Sequence, residues 1–485
     1  MIRSLLLAST ALSVLTLSAA RADCLADAVG LTCAANAVGP FTENRDGAII
    51  AVEPGVTVTA TNNTFSLRAA DIAIFNQGVL ASTSAGNNIR TIDVRAGGAT
   101  VVNAGAITGS DRGIEVMDGP GFLTVINEAG AIITSRRQTI RALEPFTAVA
   151  VFNDGLISSA NGRAAQLRAA GSSVVNNGEM RGGEEVIEAR EDFTLENNGL
   201  IALNNLSWDA ATRTWTDTGA TIDEDGVQFA SGTVHNRGVI LSTDDGIDLD
   251  EGLVHNHKTG VIISAGADDI RDSAAIDIDA QFEPSTGPAD FHPAGPVTII
   301  NEGYMEGPRG IVTEFTSAAE ITILNTGTIY GRSGVAIDMS PDQGDTFISL
   351  SGQSLILGDI LFGTGGLNTL ALGAFDEGAG VFGTVSARAG GTFDVLFDDG
   401  FLRGDILGFS FLDELFEIEL KAGSDSFILS LVAPAGFTFD GLRYDADGFA
   451  AFLSGGSVAP VPLPAAGWLL LAGVGGLFAM RRRAA

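Results

Sequence analysis

Short apolar strands recur along most of this chain, and each is closed by an Asn with a Gly one or a few residues later. Val101-Val102-Asn103-Ala104-Gly105-Ala106-Ile107 is a clear copy. The unit returns as Val125-Ile126-Asn127 with Gly130, Val151-Phe152-Asn153 with Gly155, and Val174-Val175-Asn176 with Gly178. Later copies are Val234-His235-Asn236 with Gly238, Val254-His255-Asn256 with Gly260, Ile299-Ile300-Asn301 with Gly303, and Ile323-Leu324-Asn325 with Gly327. Asn76 and Asn197 head weaker copies. Successive Asn residues are 27, 24, 26, 23, 21, 39, 20, 45 and 24 positions apart. Periods of this length with strand patterning are those of a solenoid, in which 39 and 45 read as two coils plus an insertion.

The letters have a physical reading. Asn and Gly tolerate left-handed backbone angles, as a corner between strands requires. An Asn at one phase of every coil can also stack into an amide ladder. A second strand follows at a fixed offset, as in Gly113-Ile114-Glu115-Val116, Gly226-Val227-Gln228-Phe229, Gly246-Ile247-Asp248-Leu249 and Gly334-Val335-Ala336-Ile337. Helical periodicity is nearly absent. The expected fold is all-β: a parallel β-helix of the right-handed kind over residues 41–358, about a dozen coils at roughly 4.8 Å each. Residues 359–454 lose the Asn-Gly unit but keep strands such as Phe393-Asp394-Val395-Leu396-Phe397. They read as a small antiparallel β domain capping an otherwise unpaired edge. Residues 455–464 are a linker.

Composition narrows the partners. The chain of 485 residues has 27 Lys and Arg against 59 Asp and Glu, a formal net charge of −32. Five of the cations and none of the acids fall in residues 1–22 and 463–485, so the body is more acidic still. Such a surface repels phosphate backbones, which excludes nucleic acid as an expected partner. A hydrophobic content of 45% is ample for a core, so the charge does not imply disorder.

The two ends give an address. Arg3, the apolar run Leu5 to Leu17 and Ala20-Arg21-Ala22 form a secretory signal over residues 1–22, with cleavage leaving Asp23 first. Residues 23–40 contain both cysteines, Cys24 and Cys33, and in an exported chain this pair is expected to form a disulfide. At the other end Val461-Pro462-Leu463-Pro464-Ala465 precedes an uncharged run to Met480 and then Arg481-Arg482-Arg483. Residues 465–485 read as a transmembrane helix whose arginines place the tail inside and the body outside. This composite resembles the VPLPA type of PEP-CTERM sorting tail. The resemblance implies an exosortase-type enzyme as partner, transient residence in the inner membrane, and delivery to the cell surface or extracellular matrix. The repeats are also similar to β-helical passengers of autotransporters, as is Gly358-Asp359-Ile360-Leu361-Phe362-Gly363 with Asn368-Thr369-Leu370. No translocator barrel is expected, because only about 85 residues separate Leu372 from the tail and such barrels need many strands.

Candidate chemistry concentrates in residues 217–283, with fifteen carboxylates against Arg237, Lys258 and Arg271. Asp225 and Asp245 lie one 20-residue coil apart and should stack, with Asp248 and Asp250 close behind. Calcium is the cofactor these oxygens would suit, against a simple solvated acidic face. His235 and His255 share a coil phase, with His257 two residues on; they could hold Zn²⁺, or could simply be tolerated at a surface corner. Trp208 and Trp215 sit in an insertion at 202–220, where exposed rings beside carboxylates would suit a polysaccharide. A second insertion spans 280–296. Glycoside cleavage needs two carboxylates at defined separation, and Asp245, Asp248, Asp268 and Asp269 are candidates by analogy with other β-helices only. No nucleophile elbow, zinc-protease motif or phosphate loop is present. The reading is a structural or adhesive surface solenoid, not assigned as an enzyme; the alternative is a polysaccharide hydrolase or lyase on the same scaffold.

Overall fold

A computed structural model describes residues 24–117, 121–143, 148–219, 224–268, 273–278, 295–313, 319–363, 366–387, 392–397, 406–412, 415–432, 437–444 and 449–455. The signal segment 1–22 and the sorting tail lie outside the described residues. Within them the chain is all-β, a parallel β-solenoid of about 13 turns. No helix there is long and apolar enough to cross a membrane.

One coil shows the plan. Strand Ala99–Asn103 lies in a first sheet, Ala106–Gly109 in a second and Arg112–Val116 in a third. Each pairs in parallel with the equivalent strand of the next coil: Val101 with Val125, Ile107 with Ile133, Ile114 with Ile140. Alternate residues point inward, so the core is a set of columns of like residues. One column runs Ile74, Val101, Val125, Val151, Val174, Leu195, Val234 and Val254, all buried. β-Branched side chains fill such columns well because they pack against the same shape above and below.

The corner after the first sheet carries the amide ladder that the repeat predicts. Nδ2 of each Asn donates to Oδ1 of the Asn one coil on, from Asn76 through Asn103, Asn127, Asn153, Asn176, Asn197, Asn236, Asn256 and Asn301 to Asn325, at 2.7–2.9 Å. Asn76 and Asn197 are full members. Asn325 closes the series on Ser354 Oγ at 2.6 Å. All ten amides are buried, a costly state for an amide unless its hydrogen bonds are made.

The structure corrects three expectations. The intervals of 39 and 45 are single coils, since Asn197 bonds Asn236 and Asn256 bonds Asn301 directly. Between Asn197 and Asn236 the additional residues include a hairpin outside the coil, Leu206–Asp209 with Thr214–Asp217. The glycine two after the Asn is not there for a left-handed angle. At Gly105, Gly178, Gly199 and Gly238 a Cβ would stand 2.0–2.1 Å from the carbonyl oxygen of the glycine one coil back. Close approach of successive corners excludes any side chain there.

The third correction concerns the bounds 41–358. Parallel stacking starts at Gly30–Cys33 on Ile49–Val52 and continues through Leu367–Phe375 on Thr392–Phe397. At these ends the ladder phase holds Cys33 and Val52, then Leu350 and Leu372, so the coil persists without its Asn signature. Strand Cys24–Ala26 folds back antiparallel on Leu31–Cys33, and the Cys24–Cys33 disulfide closes that hairpin. This antiparallel strand covers the first parallel edge. Near the other end, Leu415–Ala422 pairs antiparallel with Ile406–Leu412 and Asp425–Val432. Asp425–Val432 also runs parallel to Thr384–Ala387, which joins these strands to the solenoid sheet.

Candidate functional site

The third sheet carries the charged chemistry, on its outward side. Register there places Asp93, Glu115, Arg141, Gln166, Glu188, Gln228, Asp248 and Asp277 in one column. A second row, three residues earlier in the chain, begins with Arg90 and Arg112. In the N-terminal half the two signs are matched. The buried Glu115 carboxylate meets Arg90, Arg112 at 3.1 Å and Arg141 at 2.5 Å. Buried Glu188 meets Arg163 at 2.7 Å and Arg168 at 2.5 Å, and accepts from Gln166 Nε2 at 2.7 Å. Asp111 is held by Arg136 and Arg137 at 2.8 and 2.6 Å and accepts the Asn88 N–H. Burial pushes the Asp111 carboxyl up, but the Arg137 and Arg136 hydrogen bonds outweigh it and hold it well below the carboxylate range.

Around Asp225 and Asp245 the carboxylates face one another instead. Asp225 and Asp245 stack on successive coils, as the 20-residue interval predicts: Asp225 Oδ1 accepts the Asp245 N–H at 3.1 Å. Asp245 Oδ1 in turn accepts the Ala274 N–H at 2.8 Å. Asp244 joins them, and one oxygen from each of the three lies within 4.8 Å of the others. Burial, then repulsion from Asp248 and Asp244, pushes the Asp225 carboxyl well up; burial, then Asp277 and Asp225, does the same to Asp245. Glu224 at the rim is pushed up to about 7 by burial and by Glu185 and Glu184.

The four carboxylates picked out in the sequence therefore divide. Asp225 and Asp245 form a buried corner with Asp244. Asp248 stands in the outward column, accepting from Gln228 Nε2 at 2.8 Å, and Asp250 is buried near the turn into the first sheet. The solvated acidic face weighed against calcium is thus not what forms at Asp225 and Asp245. A Ca²⁺ ion takes six to eight oxygens. This corner supplies three carboxylates, and two of them already cap backbone N–H groups of the following coil. Asp268 is half engaged at the surface, ion-paired with Arg332 at 2.8 Å, while Asp269 lies outside the described residues.

The insertion after Leu203 is a two-stranded hairpin, Leu206–Asp209 with Thr214–Asp217, in which Trp208 stands opposite Trp215. Both rings pack against the hydrophobic core. Beside them the outward residues Ala202, Leu241 and Ile263 of the second sheet are buried, whereas Thr108, Thr134 and Ser158, the same position in earlier coils, stay exposed or half-exposed. Arg332 clamps the hairpin, its guanidinium 5.7 Å above the Trp215 ring and donating to the Ser264 and Gly266 carbonyls. The tryptophans thus lie half-buried on the scaffold, and Trp215 already has a cation over its face. Residues 280–294 of the second insertion and the motif residues Val461 to Ala465 and Arg481 to Arg483 lie outside the described residues.

Sequence reasoning missed the Arg–carboxylate clusters. Their signal was present in and beside the third-strand copies, where Arg112, Arg163 and Glu185 share one phase and Glu115 and Glu188 another. No family model, curated protein or solved structure proves similar enough to this chain to match it.

Proposed function

We propose that the chain is an exported solenoid of the cell surface or extracellular matrix, with a structural or adhesive role, delivered by an exosortase-type system that acts near Val461-Pro462-Leu463-Pro464-Ala465. The supporting observation is a column just before the ladder Asn on the outward side of the first sheet. It carries Phe75, Val102, Ile126, Phe152 and Val175 on five successive coils, with Phe75 and Phe152 more than 40% exposed. A row of apolar groups at coil spacing on a laddered, rigid scaffold suits an extended partner lying along it. We read residues 406–455 as the cap of the solenoid's far end and residues 465–485 as the transient membrane helix.

One observation favours the enzymatic alternative: the carboxyls of Asp225, Asp245 and Glu224 are raised, as an acid catalyst requires. Against it, Asp225 and Asp245 are buried and serve the backbone of the next coil.

Both readings meet in one experiment. The full chain is produced in a host with an exosortase-type system, and protein recovered outside the cells is weighed intact. The same protein is then run by size exclusion with acidic and neutral polysaccharides, with and without Ca²⁺. The proposal expects a chain ending near the Pro motif that co-elutes with intact polysaccharide. Shortened polysaccharide would establish the enzyme instead, and a tail retained in every recovered molecule would remove the sorting role.

A further inference from the structure

Three of the four histidines meet on the outward side of the first sheet, around the amide ladder. His235 and His255 stand in register on adjacent coils, in the column that elsewhere holds Phe75, Val102, Ile126, Phe152 and Val175. The chain turns at Asn256 and brings His257 back over them. The His257 and His255 rings stack with centroids 3.7 Å apart, and His257 Nε2 lies 3.3 Å from His235 Nδ1. One nitrogen from each of the three rings lies within 4.8 Å of the others.

That geometry has a chemical meaning. Two imidazole nitrogens each about 2.0–2.1 Å from a tetrahedral ion stand roughly 3.3–3.4 Å apart. The third ring needs only a small approach. His255 Nε2 is buried and makes no hydrogen bond, while Glu302 Oε2, from the coil beyond, lies 3.8 Å from it. Glu196 is in register with His235 on the other side. A buried ring nitrogen without a hydrogen bond, near a carboxylate and on a ring grouped with two other imidazoles, is an incomplete arrangement that an ion would complete. Burial and the neighbouring His255 also hold His235 and His257 below the usual imidazole range.

We propose that His235, His255 and His257, with Glu302 as the fourth donor, form a site for a divalent late transition metal such as Zn²⁺. The set of nitrogen donors with one oxygen suits that class of ion rather than calcium. The ion ties three successive coils together across the ladder and is independent of the export and adhesion reading.

The test uses the untagged full chain, stripped with chelator and titrated with Co²⁺ as a spectroscopic probe. The expected result is saturation at one equivalent, with visible absorption of a four- or five-coordinate ion that Zn²⁺ then displaces. His235→Ala and His257→Asn should each weaken binding more than about tenfold, with circular dichroism unchanged. His292→Ala should leave it intact. The proposal is overturned if no saturable uptake occurs, or if uptake survives both histidine changes. Uptake lost instead in Asp245→Asn would place the ion at the acidic corner and equally overturn it.

Discussion

A ladder asparagine makes four hydrogen bonds, and no other residue can make the same set. Asn153 Oδ1 accepts from Asn127 Nδ2 at 2.8 Å and from the Gly155 N–H at 3.2 Å. Its Nδ2 donates to Asn176 Oδ1 at 2.8 Å and to the Glu179 carbonyl at 3.1 Å. Asp could accept but not donate; Ala could do neither. Asn153→Ala leaves buried groups on both neighbouring coils short of a partner and should cost about 2–4 kcal/mol. Because a solenoid opens locally, hydrogen exchange is the suitable measure. Amides of the coils at 127, 153 and 176 should exchange faster, while those near Ile323 keep their protection. Uniform acceleration along the chain, or none, would contradict the ladder's role.

At the scale of elements, the hairpin Leu206–Asp217 behaves as an accessory to the coil. The ladder passes from Asn197 to Asn236 without it, so the coil does not depend on what is inserted between them. What holds the hairpin down is two tryptophans on the second sheet and the five-donor guanidinium of Arg332, which also reaches Asp268 and Glu306. Arg332→Ala should therefore loosen the hairpin at a cost of about 1–3 kcal/mol without disturbing the solenoid. Tryptophan emission should move to longer wavelength as Trp208 and Trp215 gain water, with the strand signal in circular dichroism unchanged. Emission that does not move would mean that the apolar contacts alone keep the hairpin in place.

The whole molecule is acidic, and two sets of its carboxyls act in opposite directions with pH. Asp111, lowered from its ordinary 3.8, contributes stability above that value and loses it as pH falls further. Asp225 and Asp245, raised from 3.8, and Glu224, raised from 4.5 to about 7, contribute fully below their ordinary values. That contribution is lost as pH rises through the folded values, near 7 for Glu224, while general repulsion at −32 grows in the same direction. The thermal midpoint should thus be higher near pH 5 than near pH 8. Asp225→Asn with Asp245→Asn should flatten the alkaline decline. A midpoint that climbs steadily to about pH 8 would show that the acidic corner does not govern it.

The solenoid and the phase of its corner were legible in the chain because a coil returns each position to the same surroundings. Asn and the apolar columns must therefore recur in the sequence itself. The interval of 20 between Asp225 and Asp245 likewise meant stacking before any coordinate was known. Whether 39 and 45 residues made one coil or two was not legible, since an insertion and an additional turn lengthen the interval alike. Nor was the pairing of Glu115 with three arginines, because side-chain partners on different coils are distant in sequence and chosen by direction; the shared phase of His235 and His255 was legible, but not the fold-back of His257 onto both rings. The periodic environment is written along the chain; the contacts across its turns exist only once the chain has been wound.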